Sequence, residues 1–208
     1  MYDARNTIEE FLAAAAAKQP APGGGSVSAL VGALAVSMGE MVVQYSVGKK
    51  SLVAFADQLR RALEELTRAR GIMLELMIED QLAYEALSTL RKLPPDSPER
   101  SEKWAPTLLA CIRVPQAMAA TGVAILELCD RLVNIVNAYL LSDLAVCADL
   151  AMATIRCALY NVRINAKDLP DAADRPSVEQ SSMTLLSTAV ALIQNVIPRI
   201  WDRDASQA

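Results

Sequence analysis

The chain has 208 residues, 53% hydrophobic but only 4% aromatic, with a formal net charge of −4 and no histidine. Ala, Leu, Val and Met supply the apolar mass, which favours close helix packing over a sheet core, in one large domain or one that pairs with a copy of itself. No Lys/Arg run exceeds two residues, so there is no electrostatic footprint for nucleic acid or an anionic membrane; acid–base chemistry at neutral pH falls to carboxylates, lysine, tyrosine or bound water.

Residues 5 to 17, with Ile8, Phe11, Leu12 and an alanine run, predict a short amphipathic first helix ending before Lys18-Gln19-Pro20. The stretch Pro20 to Ser51, PAPGGGSVSALVGALAVSMGEMVVQYSVGKKS, follows. Gly23, Gly24 and Gly25 leave the backbone without side-chain cover, so the amides of Gly24, Gly25 and Ser26 can approach a ligand closely. Ser26 is expected to cap a helix whose first N–H groups favour an anion or a carbonyl oxygen. The same run also serves as a tight helix-packing turn, and both uses stay open. Residues 26 to 47 predict a second helix charged only at Glu40, with Ser28, Gly32, Ala35 and Gly39 at helical spacing to let another helix approach. A buried central helix is expected rather than a membrane span, because the uncharged run Ser26 to Gly39 is short for one.

Gly48-Lys49-Lys50 interrupts that helix, and a third is expected from near Ser51 to about Arg91, with Leu63, Leu66, Ile72, Met73, Leu76, Met77 and Leu82 apolar and only Gly71 weakening it. Leu93-Pro94-Pro95-Asp96-Ser97-Pro98 is a clear break and reads as a helix connection, not a domain boundary. Glu99 to about Asn134 is a fourth helical segment, which Pro115 should kink or divide. A fifth spans about Asn137 to Asn165, Lys167 to Pro176 is a polar loop, and a last amphipathic helix spans Val178 to about Trp201. The expectation is an all-α, single-domain antiparallel helical bundle over residues 1–208, with long central helices. Cys111, Cys129, Cys147 and Cys157 are spaced 18, 18 and 10 apart with no CxxC pair, which does not make a zinc site. Buried free thiols in a reducing cytoplasm are expected, as the chain also shows no secretory n-region or cleavage site.

Polar residues set in apolar helical stretches are the candidates for chemistry, because burying such a group without a partner costs a few kcal/mol. Asp130, Asn134 and Asn137 are spaced to share one face; Ser142-Asp143 lies inside LLSDLAV; Asn161 and Asn165 are one turn apart; Asp80 stands one turn before Tyr84. Inter-helix hydrogen bonds or helix caps account for Asn137 and Asn165, a satisfied core hydroxyl for Tyr84, and a solvated helix start for Lys49-Lys50. Asp143, among Leu140, Leu141, Leu144 and Val146, needs a cation, a donor network or a raised pKa, and is a candidate to line a site.

PAPGGGSVSALVGALAVSMGEMV followed by VGKK resembles the opening of the cyclodeaminase/cyclohydrolase family of folate enzymes. The resemblance continues through Asp80 and Tyr84 with the following LPP, Arg113-Val114-Pro115, Asn137 to Asp143, and Asn161 to Asn165. Val136, Tyr139 and Ala166 depart from residues common in the family. The resemblance implies an all-helical fold that dimerises, takes a tetrahydrofolate derivative as substrate, and uses no metal and no tightly bound cofactor. For a standalone domain of this length it implies a methenyltetrahydrofolate cyclohydrolase, hydrolysing 5,10-methenyltetrahydrofolate to the 10-formyl form. The alternatives are an ammonia-releasing formiminotetrahydrofolate cyclodeaminase or a non-catalytic folate-binding or structural relative. Asp143 is expected as the base, with Asp80 as second candidate and Tyr84, Lys49 or a protonated carboxylate as proton donor. Asn137, Asn161 and Asn165 suit the pterin edge, Ser142 accompanies Asp143, and the amides of Gly23 to Ser26 with Lys49 or Lys50 suit the oxo group or the glutamate carboxylates. Partners are expected to be a folate small molecule and a second copy of the chain, with no nucleic acid and no membrane, in the cytoplasm.

Overall fold

The apolar periodicity is realised as six α-helices in a computed structural model that describes residues 1–169 and 174–206: α1 (Ile8–Ala16), α2 (Gly24–Gln44), α3 (Ala56–Lys92), α4 (Pro98–Leu132), α5 (Leu141–Ala166) and α6 (Asp174–Ala205). Short 3₁₀ turns at Lys50–Phe55 and Ala138–Leu140 lead into α3 and α5. The all-α expectation holds among the described residues. Local signals set several ends. Thr7 and Glu10 close a reciprocal capping box on α1, and Ser97 caps α4 ahead of Pro98 at its first turn. Gly48 follows α2 at φ +80, a conformation that favours glycine, and there the chain turns toward α3.

Helices α2 to α5 form an antiparallel bundle, and the close approaches fix its register. Along α2, Gly25, Gly32 and Gly39 meet Asp80, Met73 and Leu66 of α3 in descending order, while Gly24, Gly32 and Gly39 meet Asn161, Thr154 and Cys147 of α5. Gly122 of α4 lies against Ile155 of α5. A methyl group at Gly122 would press into Ile155 close to its branch point, so hydrogen there lets α4 and α5 come that near, whereas at Gly32 the flexible end of Met73 would have to move aside. Helix α6 lies alongside α4 in the same direction: Asn195 and Arg199 reach Asp130, and Arg203 donates to the carbonyls of Val133 and Val136 past the end of α4. These carbonyls have no helical partner of their own, so Arg203 closes the C-terminus of α4.

The differences from expectation have physical causes. Helix α2 starts at Gly24 with Gly23 as cap residue, so Ser26 is not the cap but sits inside the first turn. Pro115 does not divide α4, which runs unbroken from Pro98 to Leu132. The carbonyl of Cys111, four residues earlier, cannot receive an N–H from Pro115 and accepts from Asn165 Nδ2 of α5 at 2.9 Å instead. Asn134 and Asn137 lie beyond the end of α4 and share no helical face with Asp130; Asn137 caps the following turn by accepting from the Tyr139 N–H. Ile72 and Leu82 of α3, read as core, are exposed. Of the four thiols, Cys111, Cys129 and Cys147 are buried but Cys157 is exposed. Helix α6 begins before Val178 and takes in Pro176, while residues 170–173 of the expected loop lie outside the described residues. Length is also no ground against a membrane span, since α2, α4, α5 with its leading turn, and α6 are all long and apolar enough to cross one. What makes α2 a bundle helix is its contacts: Ala29, Ala35, Val36, Val42 and Val43 are fully enclosed, and Glu40 pairs with Arg70 of α3.

Candidate functional site

The antiparallel register brings the start of α2, the middle of α3 and the end of α5 to one end of the bundle. There Gly23, Gly24, Gly25, Asp80, Tyr84, Cys111, Asn161, Ile164 and Asn165, with Pro20 and Ala21, line a concavity of about 250 Å3. Seven of the residues singled out from sequence meet here.

Asp80 is the centre of this end. Ser26, fully buried, donates its hydroxyl to Asp80 Oδ2 at 2.9 Å, and the Ser26 backbone N–H also bonds the carboxylate. The first-turn amides of α2 therefore already face an anion, and it belongs to this chain. Gly25 is required by the same contact, because a Cβ there would collide with both Asp80 oxygens. Burial pushes the Asp80 carboxyl above its ordinary range, and the two bonds from Ser26 offset only part of that shift. A carboxylate held in place, largely removed from water and with a raised pKa is a poised proton acceptor. Cys111 beside it is no nucleophile at neutral pH: burial, with the Asp80 charge as a second cause, pushes its thiol up to about 11.

The two asparagines are anchored by different helices. Asn161 Nδ2 donates to Cys157 O one turn earlier in α5, and Asn165 Nδ2 donates to Cys111 O of α4, both at 2.9 Å. Each amide keeps its carbonyl oxygen and a second N–H for a ligand. Tyr84, one turn after Asp80 and partly exposed, brings a phenol to the rim.

Lys49, Lys50, Asn137, Ser142 and Asp143 lie elsewhere. They gather at the far end of α2, which at 21 residues and 1.5 Å per residue is about 30 Å long. Ser46 ties that end together by accepting the Asn137 backbone N–H at 2.8 Å, and Lys49 Nζ stands 5.8 Å over the Tyr139 ring, itself 90% exposed. Asp143 is half-buried in the first turn of α5, so it is not enclosed by the apolar residues beside it in sequence. Within one chain it does not share a cavity with Asp80. Cys111 and Ile164 line the concavity without having been singled out. The signal for Cys111 was its place four residues before Pro115.

A larger groove of about 540 Å3 runs between the end of α5 and the start of α6, lined by Tyr160, Arg163, Lys167, Arg175 and Met183 among others. It is largely apolar, with Arg163, Lys167 and Arg175 on its rim, and its carboxylate, Glu179, is exposed, so the smaller concavity with Asp80 fixed by Ser26 is the better candidate for chemistry.

Residues 7–184 match the protein family described as formiminotransferase-cyclodeaminase. The chain is 30% identical over 194 residues to the methenyltetrahydrofolate cyclohydrolase of Methylorubrum extorquens, covering 91% of this chain and 93% of that protein. It is 29% identical over 202 residues to the formimidoyltransferase-cyclodeaminase of Sus scrofa, covering 95% of this chain but 37% of that longer one. The formiminotetrahydrofolate cyclodeaminase of Thermotoga maritima has a similar structure, with a TM-score of 0.82, 25% identity and 97% coverage of both chains.

Proposed function

We propose, from the premise that this chain belongs to the formiminotransferase-cyclodeaminase family, that it is a methenyltetrahydrofolate cyclohydrolase. It hydrolyses 5,10-methenyltetrahydrofolate to 10-formyltetrahydrofolate. Similarity over nearly the whole length of the Methylorubrum cyclohydrolase supports that choice. The observation that carries it is Asp80, fixed by Ser26 in the same concavity as Asn161 and Asn165.

The methenyl carbon belongs to an amidinium cation. A carboxylate in a low-dielectric pocket attracts that cation, and the cation in turn lowers the carboxyl pKa, so Asp80 is ionised when substrate is in place. Asp80 then takes a proton from water as the oxygen bonds to the methenyl carbon. The C–N5 bond then breaks with its electron pair going to N5, which takes a proton from the Asp80 carboxyl or the Tyr84 phenol. The hydroxyl oxygen forms the formyl C=O and gives its proton to the group that donated, so that one proton is released to solvent per turnover. No redox change occurs. Asn161 and Asn165 offer paired donors and acceptors to the amide-like edges of the pterin.

The working unit in this proposal is a homodimer. Val27, Val31, Leu34, Met38, Met41 and Tyr45 of α2 recur at alternating spacings of four and three, all exposed or half-exposed. Glu40, the one charged residue of α2, is turned to Arg70. A second copy laid antiparallel on this stripe brings its Lys49, Asn137, Ser142 and Asp143 toward the Asp80 end, and adds walls to a concavity small for a whole folate. We extend the proposal to the cytoplasm, where a reducing milieu keeps the cysteines as thiols.

The test is loss of methenyl absorbance with and without protein. A rate above the spontaneous one supports the cyclohydrolase. Ammonia release from 5-formiminotetrahydrofolate without methenyl hydrolysis assigns the cyclodeaminase, and saturable folate binding without turnover assigns a binding protein.

A further inference from the structure

Pro115 is buried in the middle of α4, where a proline ordinarily costs about 3 kcal/mol by removing a helical hydrogen bond and crowding the carbonyl four residues back. Here that carbonyl is Cys111 O, and it is not left alone: Asn165 Nδ2, from α5, donates to it at 2.9 Å. The residue whose backbone is released and the residue that takes it up both line the concavity with Asp80. Asn161 shows the contrast. One turn earlier in α5, it is anchored on its own helix through Cys157 O and needs nothing from α4.

We propose that Pro115 is a positioning residue for this site: by withholding an N–H from Cys111 O it reserves that oxygen for Asn165, which fixes the Asn165 amide in the wall of the Asp80 concavity. An unbroken helical ladder would put a backbone N–H on Cys111 O, and the Asn165 side chain, half-buried near the end of α5, would have to share that oxygen and would hold its hydrogen bond to α4 more weakly. With Nδ2 tied to α4, the Asn165 carbonyl and remaining N–H have one orientation to offer a ligand edge carrying a complementary donor and acceptor. On the functional reading above, that edge belongs to the pterin, and the placement serves binding rather than the proton transfers of Asp80.

Pro115→Ala restores the missing N–H, Asn165→Ala removes the recipient side chain, and the double variant completes a cycle. Three readouts follow. In urea unfolding, Asn165→Ala lowers the midpoint in the parent, where it strands Cys111 O, and has much less effect in the Pro115→Ala background, where the restored backbone N–H satisfies that oxygen. The Asn165 side-chain amide protons exchange slowly in the parent by NMR and fast in Pro115→Ala. In turnover of 5,10-methenyltetrahydrofolate, Pro115→Ala raises KM by roughly 3- to 10-fold, the worth of one hydrogen bond, with kcat changed much less. Strictly additive midpoints with unchanged amide exchange would overturn the proposal, as would a Pro115→Ala enzyme whose loss lies wholly in kcat. The unfolding cycle and the exchange rates need no substrate. A chain without methenyl turnover therefore removes the functional reading and still leaves the Pro115–Asn165 coupling decided.

Discussion

Replacing Gly25 with alanine sets two effects of known size against each other. In a helix, Gly→Ala normally stabilises by up to about 1 kcal/mol through backbone entropy. At Gly25 the added methyl would occupy the position of the Asp80 carboxylate, so that group has to leave. Its departure breaks the hydroxyl and amide bonds from Ser26, and hydrogen bonds to a charged group are worth about 1.5–3 kcal/mol each. Rehydration of the carboxylate offsets its own lost bonds, but the Ser26 hydroxyl and amide stay fully buried without a partner, at about 1–3 kcal/mol for each group left unsatisfied, and the helix propensity gain opposes only part of that. The net expectation is destabilisation by about 1–2 kcal/mol, or roughly 2–8 °C in Tm at this chain length. The catalytic loss is larger in proportion, because moving a general base by about 1 Å costs on the order of 100-fold. Gly71→Ala is the matched control: it is also helical, a Cβ there meets nothing, and it should gain up to about 1 kcal/mol with activity unchanged. Thermal melts and methenyl hydrolysis rates measure both variants. A Gly25→Ala protein as active and at least as stable as the parent would refute the placement of Asp80 against the start of α2.

Other outcomes follow from the same geometry. Because burial raises the folded-state pKa of Asp80, its ionised form is a cost at neutral pH. The stability Asp80 contributes is therefore fully present below its unfolded pKa and is lost as pH rises through its folded one, so Asp80→Asn should be more resistant to urea at pH 7 than the parent, with the advantage shrinking in acid. The parent rate of kcat/KM should fall as pH drops through the raised Asp80 pKa of the free enzyme, and that limb should vanish in Asp80→Asn. Gly122→Ala presses a methyl into Ile155 and should cost about 1–3 kcal/mol in unfolding with little change in KM. For the dimer, Val27→Cys and Tyr45→Cys sit on one stripe about 27 Å apart within a chain, so an oxidised product joining the two variants should form between chains in a mixture and in neither variant alone. Its absence would exclude the antiparallel α2 seam.

Most of the fold was legible because the apolar residues of long helices repeat at 3.6 and the breaks carry proline and glycine signals. What the periodicity hid were tertiary substitutions for local rules. Pro115 is a helix breaker by composition, yet Asn165, fifty residues later, takes up the carbonyl it releases. Ser26 reads as a cap, whereas the anion at the start of α2 is Asp80, supplied from another helix. The glycine run stood open between packing and binding, and Gly25 does the first for the sake of a carboxylate while Gly23 and Gly24 remain in the wall of the concavity. Asp143 stood out as a charge among leucines, but sequence neighbours on a helix point in different directions, and its side is half open. Nor does a sequence say which end of a bundle a residue reaches. That depends on the antiparallel register of α2, α3 and α5, which joins Asp80 to Asn161 and leaves Asp143 a helix-length away.

The central assignment is tested most directly by the initial rate at which methenyl absorbance is lost with the parent chain and with Asp80→Asn, each corrected for the spontaneous reaction. The structure-based expectation is a clear parent rate that falls by roughly 100-fold or more, about the contribution of a positioned general base, in a variant that remains folded. A folded Asp80→Asn protein that hydrolyses 5,10-methenyltetrahydrofolate as fast as the parent would contradict it.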